Sequence, residues 1–165
     1  MKRLIIALSF IICQLTFGVA QSVTRTQHRT AIAQDAVSTG TMTIKKPDYI
    51  CISTNQGKEQ LIMEGTKFTM TVGGKKHVTD SRKNEQFATF HQVLKAVINN
   101  QPIPKSNDVT ITTKNRLKTI NITPAKKKKR QMFTSFELVV DDNTSAIQHI
   151  RMNERGDNYT SYEVK

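Results

Sequence analysis

Short runs of alternating apolar and polar residues, separated by turn-forming residues, are the feature that most restricts how this chain can fold. The apolar members of the first three runs are Met42 and Ile44, Ile50 and Ile52, and Phe68, Met70 and Val72. A period of two is what a half-buried β-strand requires, because successive side chains point to opposite faces. The turn sequences around these runs are Lys46-Pro47-Asp48, Asn55-Gln56-Gly57, Glu64-Gly65 and Gly73-Gly74. Such turns predict a meander of short antiparallel strands.

One segment, between Asn84 and Asn100, departs from this pattern. Its apolar residues are spaced by three and four, as on one face of an amphipathic helix. They are Phe87, Phe90, Leu94, Val97 and Ile98. Ser81 or Asn84 can cap the start, and prolines follow the end at 102 and 104. The segment is predicted to be an α-helix.

After the helix the period of two resumes and continues to the end of the chain. Its apolar and aromatic members are Val109, Ile111, Leu117, Ile120, Ile122, Met132, Phe136, Leu138, Val140, Ile147, Ile150, Tyr159 and Tyr162. The polar stretch Gln21 to Ser38 shows only weak helical spacing, and we interpret it as a short helix or an arm. The predicted fold class is mainly β (α+β), a curved antiparallel sheet with helical cover on its concave face.

The first twenty residues have the three-part pattern of a secretory signal peptide. Lys2 and Arg3 precede an apolar run, and Gly18 and Ala20 supply the small residues before a cleavage site. We expect cleavage after Ala20, which leaves one domain over 21–165, an ordinary size for a single core. Cys13 does not make this a lipoprotein signal, because Ile12 stands where a small residue is needed.

Charge and cysteine content narrow the classes of function. The net charge of +12 favours anionic membranes, acidic glycans or acidic proteins as partners. Export and the low aromatic content argue against nucleic acid. Without Cys13 only Cys51 remains, which excludes an intramolecular disulfide and Cys-rich metal sites.

No motif for catalysis or for a cofactor is found. The four histidines are dispersed and lack metal-ligand spacing. There is neither a nucleophile elbow nor a glycine loop for phosphate. We therefore predict no enzyme activity, no metal and no cofactor.

Several segments, in their order and spacing, carry a resemblance to a known family. Ser38 to Pro47 resembles a family strand that begins with a small residue and Gly and ends with a basic residue and Pro, and Gln60 to Gly65 resembles a segment that ends in an acidic residue and Gly. Thr26 to Arg29, Ile122 to Pro124 and Phe136 to Thr160 are similar to further family segments, and Arg25 stands where the family has an aromatic residue. The chain thus resembles the LolA-like outer-membrane lipoprotein carriers.

The resemblance implies an incompletely closed antiparallel barrel, covered by helices, whose apolar cavity binds acyl chains without chemistry. It implies a monomeric periplasmic carrier with acylated lipoprotein or other lipid cargo, loaded by an inner-membrane donor complex and emptied by an outer-membrane acceptor. Lys46 stands where the family has an arginine that tethers the lid. Lysine keeps the charge but lacks the planar fork of arginine. The family's tryptophans are absent.

The lipid-binding residues predicted on this basis are Met42, Ile44, Lys46, Ile50, Ile52, Phe68, Met70, Phe87, Phe90 and Leu94. Burial of each methylene of a cargo chain contributes about 0.8 kcal/mol, so partial burial is enough to drive binding. Without the family resemblance, the same residues would be interpreted as an ordinary hydrophobic core.

The alternative function is an exported, non-catalytic binding module with a filled core. Its basic surface would engage an acidic glycan, a membrane or a protein. The run Lys126 to Arg130, predicted at a hairpin tip, is either a solvated loop or part of that surface.

Overall fold

The computed structural model describes residues 19–32, 35–124 and 132–165. Most of the predicted signal peptide (1–20) and the basic run Lys126 to Arg130 lie outside the described residues. No helix in the described part of the chain is long and apolar enough to cross a membrane.

Within the described ranges, eleven strands and one α-helix form. The strands are β1 (Ala20–His28), β2 (Ala36–Lys45), β3 (Tyr49–Thr54), β4 (Glu59–Glu64), β5 (Lys67–Val72), β6 (Lys75–Asp80), β7 (Val109–Lys114), β8 (Leu117–Ile122), β9 (Phe133–Asp141), β10 (Ile147–Glu154) and β11 (Tyr159–Val164). The helix α1 (Glu85–Ile98) lies between β6 and β7, and a 3₁₀ turn (Asn55–Gly57) joins β3 to β4. The mainly β fold with one predicted helix is confirmed.

All eleven strands belong to one antiparallel sheet in the order β6-β5-β4-β3-β2-β1-β11-β10-β9-β8-β7. The sheet is not closed into a barrel, since β6 and β7 are its two edges. These edge strands are neighbours along the chain, so α1 and the loop after it must pass from one edge to the other. The connection explains why α1 covers the inner face.

The predicted alternation between a buried and a more exposed face is clear in β3, β4, β8, β9 and β10. β9 is the clearest case, with Phe136, Leu138 and Val140 buried. In β10 the spacing from Ile147 to Ile150 is three, and the register with β9 shifts between Ile147 and His149. A bulge of this kind adds one residue, so both isoleucines still face inward.

The interpretation of Gln21 to Ser38 as a short helix or an arm is wrong. Most of this stretch forms β1 and the start of β2, and β1 is the central strand of the sheet. Val23 and Arg25 both point to the buried face, where they are 2% and 3% exposed. Because Arg25 is charged although it faces inward, the alternation of apolar and polar residues is not visible in the sequence of β1.

The sheet is strongly curved where β1, β2 and β3 meet. β1 and β3 approach one another across β2, and an ideal Cβ at Gly40 would lie 1.9 Å from the carbonyl oxygen of Ser53. Glycine at this position permits a backbone approach that any side chain would prevent.

Candidate functional site

The predicted sheet residues of the cavity lie in two continuous rows across four strands. One row pairs Met42 with Ile52, Ile52 with Leu61, and Leu61 with Met70. The other row is Ile44, Ile50, Met63 and Phe68. The six apolar positions predicted on these strands therefore share one apolar surface.

Two members of these rows, Leu61 and Met63, were missed from the sequence. Both are buried on the inner face of β4. Ile62 lies between them on the outer face and is half-buried, so three successive apolar residues hide the alternation. Register with the neighbouring strands is the signal that identifies them.

The helix covers this surface with aromatic rings. Phe87 lies 4.5 Å from Phe68 between ring centroids, and Phe90 stacks on Phe136 at 4.5 Å with the planes 18° apart. Phe133 contacts Phe87 edge-on at 6.0 Å. Because Phe68 belongs to β5 and Phe136 to β9, α1 joins the two halves of the sheet through ring contacts.

The burial of the predicted site follows from this packing. Phe87, Phe90, Leu94, Phe68, Met42, Ile50 and Ile52 are all buried, whereas Ile44 and Met70 are half-buried at the margin of the core. The space between α1 and the sheet is thus occupied by side chains in this structure. An acyl chain enters it only if α1 moves or these side chains rearrange.

Lys46 differs from the other predicted site residues, because it is exposed in the turn after β2. The contacts that tie α1 and its C-terminal end to this turn come from its neighbours. Asn99 Nδ2 donates to the carbonyl oxygen of Pro47 at 2.6 Å, and Lys95 Nζ lies 4.0 Å from the Asp48 carboxylate. The contacts from this turn to the C-terminal part of α1 are therefore made by Pro47 and Asp48.

His91 lies on the same side of α1 as these ties. Its Nδ1 lies 3.2 Å from the hydroxyl of Ser81, and its Nε2 is buried with no hydrogen-bond partner among the described residues. Burial disfavours the charged imidazolium and is the main reason why the pKa of His91 is lowered. The negative charge of Asp48 opposes this lowering, and the positive charge of Lys95 adds to it. The neutral imidazole is the form that suits this position.

One end of the inner face is polar and includes a buried ion pair. Arg25 Nη1 lies 3.0 Å from Glu59 Oε2, so the pair links the central strand to β4 across β2 and β3. The hydroxyls of Thr54 and Ser38 lie 3.3 and 3.5 Å from the same oxygen. The hydroxyl of Tyr162 is also hydrogen-bonded to Arg25. Burial is the main reason why the pKa of the Tyr162 hydroxyl is raised.

A family comparison identifies what kind of protein has this arrangement. The model of the family "Outer membrane lipoprotein carrier protein LolA" matches residues 19–165. The chain belongs to the LolA family. Its fold is accordingly that of a lipoprotein-binding carrier family whose members are generally non-catalytic.

Solved structures give more distant likenesses. A LolA superfamily protein from Nitrosomonas europaea has 7% identity and a TM-score of 0.33, with 88% of this chain and 83% of that chain covered. LprF from Mycobacterium bovis has 9% identity and a TM-score of 0.38, with 90% and 85% covered. The comparison with curated proteins finds no match.

The described residues contain no group of three or more histidine, cysteine or acidic side chains that could hold a metal ion. Cys51 is a half-buried strand residue of β3 on the outer face.

Proposed function

We propose that this LolA-family protein is a periplasmic carrier that binds the acyl chains of lipoproteins, or of related lipids, between α1 and the inner face of the sheet. It ferries this cargo from an inner-membrane donor toward an outer-membrane acceptor. The observation that carries the proposal is a continuous apolar face on an open sheet, covered by the amphipathic helix α1. Since α1 lies between the two edge strands in the chain, it can move without breaking a strand pairing.

The structure corresponds to a closed, unloaded form in this proposal. Rings on α1 occupy the apolar face until cargo replaces them. Exchange is feasible because acyl chains and aromatic rings both gain from burial, so a cargo chain offsets the contacts that α1 gives up. Met42, Met63 and Met70 suit this exchange, since unbranched thioether side chains adapt to chains without a fixed shape.

Dye displacement tests this function. The folded protein should bind the environment-sensitive dye ANS, and a synthetic triacylated lipopeptide should displace the dye while its unacylated form does not. Ile50→Glu places a carboxylate in the middle of the apolar face and should abolish dye binding. The matched control is Thr41→Glu on the exposed face of β2. Equal dye binding by both variants would contradict the proposal.

The packing of the phenylalanine rings between α1 and the sheet favours a second candidate function. If Phe87, Phe90, Phe133 and Phe136 never separate, the interior is a permanent core. The protein would then be an exported binding module whose basic surface engages an acidic glycan, membrane or protein. That module would lose affinity in salt and on neutralisation of Lys126 to Arg130, and would be unaffected by Ile50→Glu if the variant folds.

A further inference from the structure

The polar end of the inner face is built like a binding site for a carboxylate. The guanidinium of Arg25 and the hydroxyls of Thr54 and Ser38 all approach one oxygen, Glu59 Oε2, at 3.0 to 3.5 Å. Arginine presents a planar fork that matches a carboxylate. The carboxylate in this site belongs to the chain itself.

Burial differs sharply between the two partners of the ion pair. The side chain of Arg25 is 4% exposed and that of Glu59 is 17% exposed. Arg25 lies on the central strand and Glu59 is the first residue of β4, directly after an exposed turn. Arg25 is therefore fixed in the sheet, whereas Glu59 is the partner that can leave.

A cavity beside Glu59 provides space into which its side chain can turn. It measures about 350 Å³ and is lined by Asn55, Lys58, Glu59, Gly73 and Gly74. The cavity lies between the turn that precedes β4 and the hairpin turn that joins β5 to β6. With Glu59 neutralised by Arg25, Lys58 leaves an excess positive charge there, which favours an anion.

An apolar path leads from this cavity to the core. Met70 and Val72 are half-buried on the inner face of β5, and Met70 pairs with the buried Leu61. Thr71 pairs with Gln60, so the next residue, Val72, lies beside Glu59. A ligand with an acidic head at Arg25 would lay its tail along Val72 and Met70 toward Phe68.

We propose that Arg25, Thr54 and Ser38 form a receptor for the carboxylate of a long-chain fatty acid, and that Glu59 occupies this receptor when no ligand is bound. The inference rests on the proposed function, because the tail of the acid uses the same apolar face. Binding forms and breaks no covalent bond. The ligand's carboxylate accepts the hydrogen bonds that Glu59 accepts in the unloaded protein, and Glu59 turns into the cavity. A single-chain acid is thereby selected over a neutral lipid of equal length.

Displacement of an uncharged fluorescent probe, 1-aminoanthracene, from delipidated protein at pH 8 tests the receptor. Lauric acid and 1-dodecanol are compared because they have the same chain length and differ in head group. The protein should bind lauric acid more tightly than dodecanol. Glu59→Gln frees Arg25 without changing the volume of the side chain, and should raise the affinity for lauric acid by about tenfold, a change typical of hydrogen bonds to charged groups, without raising that for dodecanol.

The double variant Arg25→Met with Glu59→Gln removes both charges, so that no unpaired charge stays buried. It should bind the acid and the alcohol equally. Lys114→Gln, on the exposed edge strand β7, controls for the general effect of positive charge. It should leave the preference for the acid unchanged.

Thermal unfolding gives a second readout. Glu59→Gln should unfold at a lower temperature than the unchanged protein, because Arg25 loses its counter-ion, and lauric acid should restore the loss while dodecanol does not.

The outcomes separate this receptor from the carrier function. Equal binding of acid and alcohol by the unchanged protein, or a preference for the acid that survives in the double variant, would overturn the receptor and leave the acyl carrier standing. If neither ligand displaces the probe, both proposals fail.

Discussion

The absence of a side chain at Gly40 allows the sheet to curve strongly at this position. A Cβ there would overlap the carbonyl oxygen of Ser53 and would also lie 2.7 Å from the Cα of Thr54. Both neighbours are backbone atoms of β3, so neither can turn away as a side chain would.

Gly40→Ala should therefore destabilise the protein by at least about 2 kcal/mol, as overpacked sites do. Urea unfolding followed by circular dichroism measures this change. Thr41→Ala, at the next and exposed position of the same strand, should change the free energy of unfolding by less than about 0.5 kcal/mol. Equal effects of the two substitutions would show that the sheet tolerates a side chain at position 40.

The buried ion pair of Arg25 and Glu59 is a second place where single residues affect the stability of the protein. Removing one partner leaves the other charged and poorly solvated, whereas removing both leaves only a change in packing. Arg25→Met should cost about 3 to 5 kcal/mol of unfolding free energy, and the added substitution Glu59→Gln should recover part of that loss. A double-mutant cycle in urea measures the coupling; strictly additive losses would mean that the pair contributes nothing.

Individual residues also show where the sequence could predict the site and where it could not. Met42, Ile50, Ile52 and Phe68 were predicted because each alternates with polar neighbours. Phe133 was missed because three positions separate it from Phe136, and the register between β9 and β10 shifts there. Arg25 was missed as an inner-face residue because its type is typical of surfaces.

At the scale of elements, α1 and the turn after β2 form one contact region. Apolar contacts hold the buried side of the helix, and Asn99 and Lys95 hold its C-terminal part to Pro47 and Asp48. The exposed ion pair contributes little, so the hydrogen bond from Asn99 is the tie on which a substitution should act.

Asn99→Ala should loosen α1 without unfolding the sheet. Hydrogen exchange of the helix amides should become faster, and ANS binding should rise in parallel, because the apolar face opens more often. Gln92→Ala, on the exposed side of the same helix, is the matched control and should change neither. Faster exchange throughout the sheet as well would indicate general destabilisation rather than release of α1.

The region around His91 should respond to acid. Its folded-state pKa lies below the usual 6.5, so below about that pH the unfolded chain binds a proton that the folded chain resists. Stability contributed here is complete above pH 6.5 and is lost as the pH falls toward the lowered pKa.

His91→Gln removes this titration and should make the free energy of unfolding less dependent on pH between about 7 and 5. Urea unfolding at the two pH values measures the difference. His77→Gln, in the exposed edge strand β6, is the control for replacing a histidine that is not buried. A slope unchanged by His91→Gln would show that the acid response arises elsewhere.

The helix and most strands could be predicted from spacing alone, but their arrangement could not. Local alternation gives the direction in which each side chain points, and it contains no information on which distant strands pair. The placement of β1 at the centre of the sheet depends on pairing with β11, at the other end of the chain. The contact between Asn99 and Pro47 could not be predicted either. Its acceptor is a backbone carbonyl, which every residue has, so the sequence contains no signal for it.

On the scale of the whole molecule, the central question is whether α1 and the sheet enclose cargo. The apolar rows, the aromatic cover and the LolA family match all support an acyl carrier. The ring packing is compatible with that account only if the helix and the sheet can separate.

The most direct measurement is native mass spectrometry of the protein purified gently from its own host, compared with Ile50→Glu. Circular dichroism would confirm that both proteins are folded. The account predicts a bound acylated lipoprotein or lipid, near one per chain, on the unchanged protein and none on the variant. An unchanged protein that carries no cargo, and takes up none when acylated lipoprotein is offered in vitro, would contradict the carrier function.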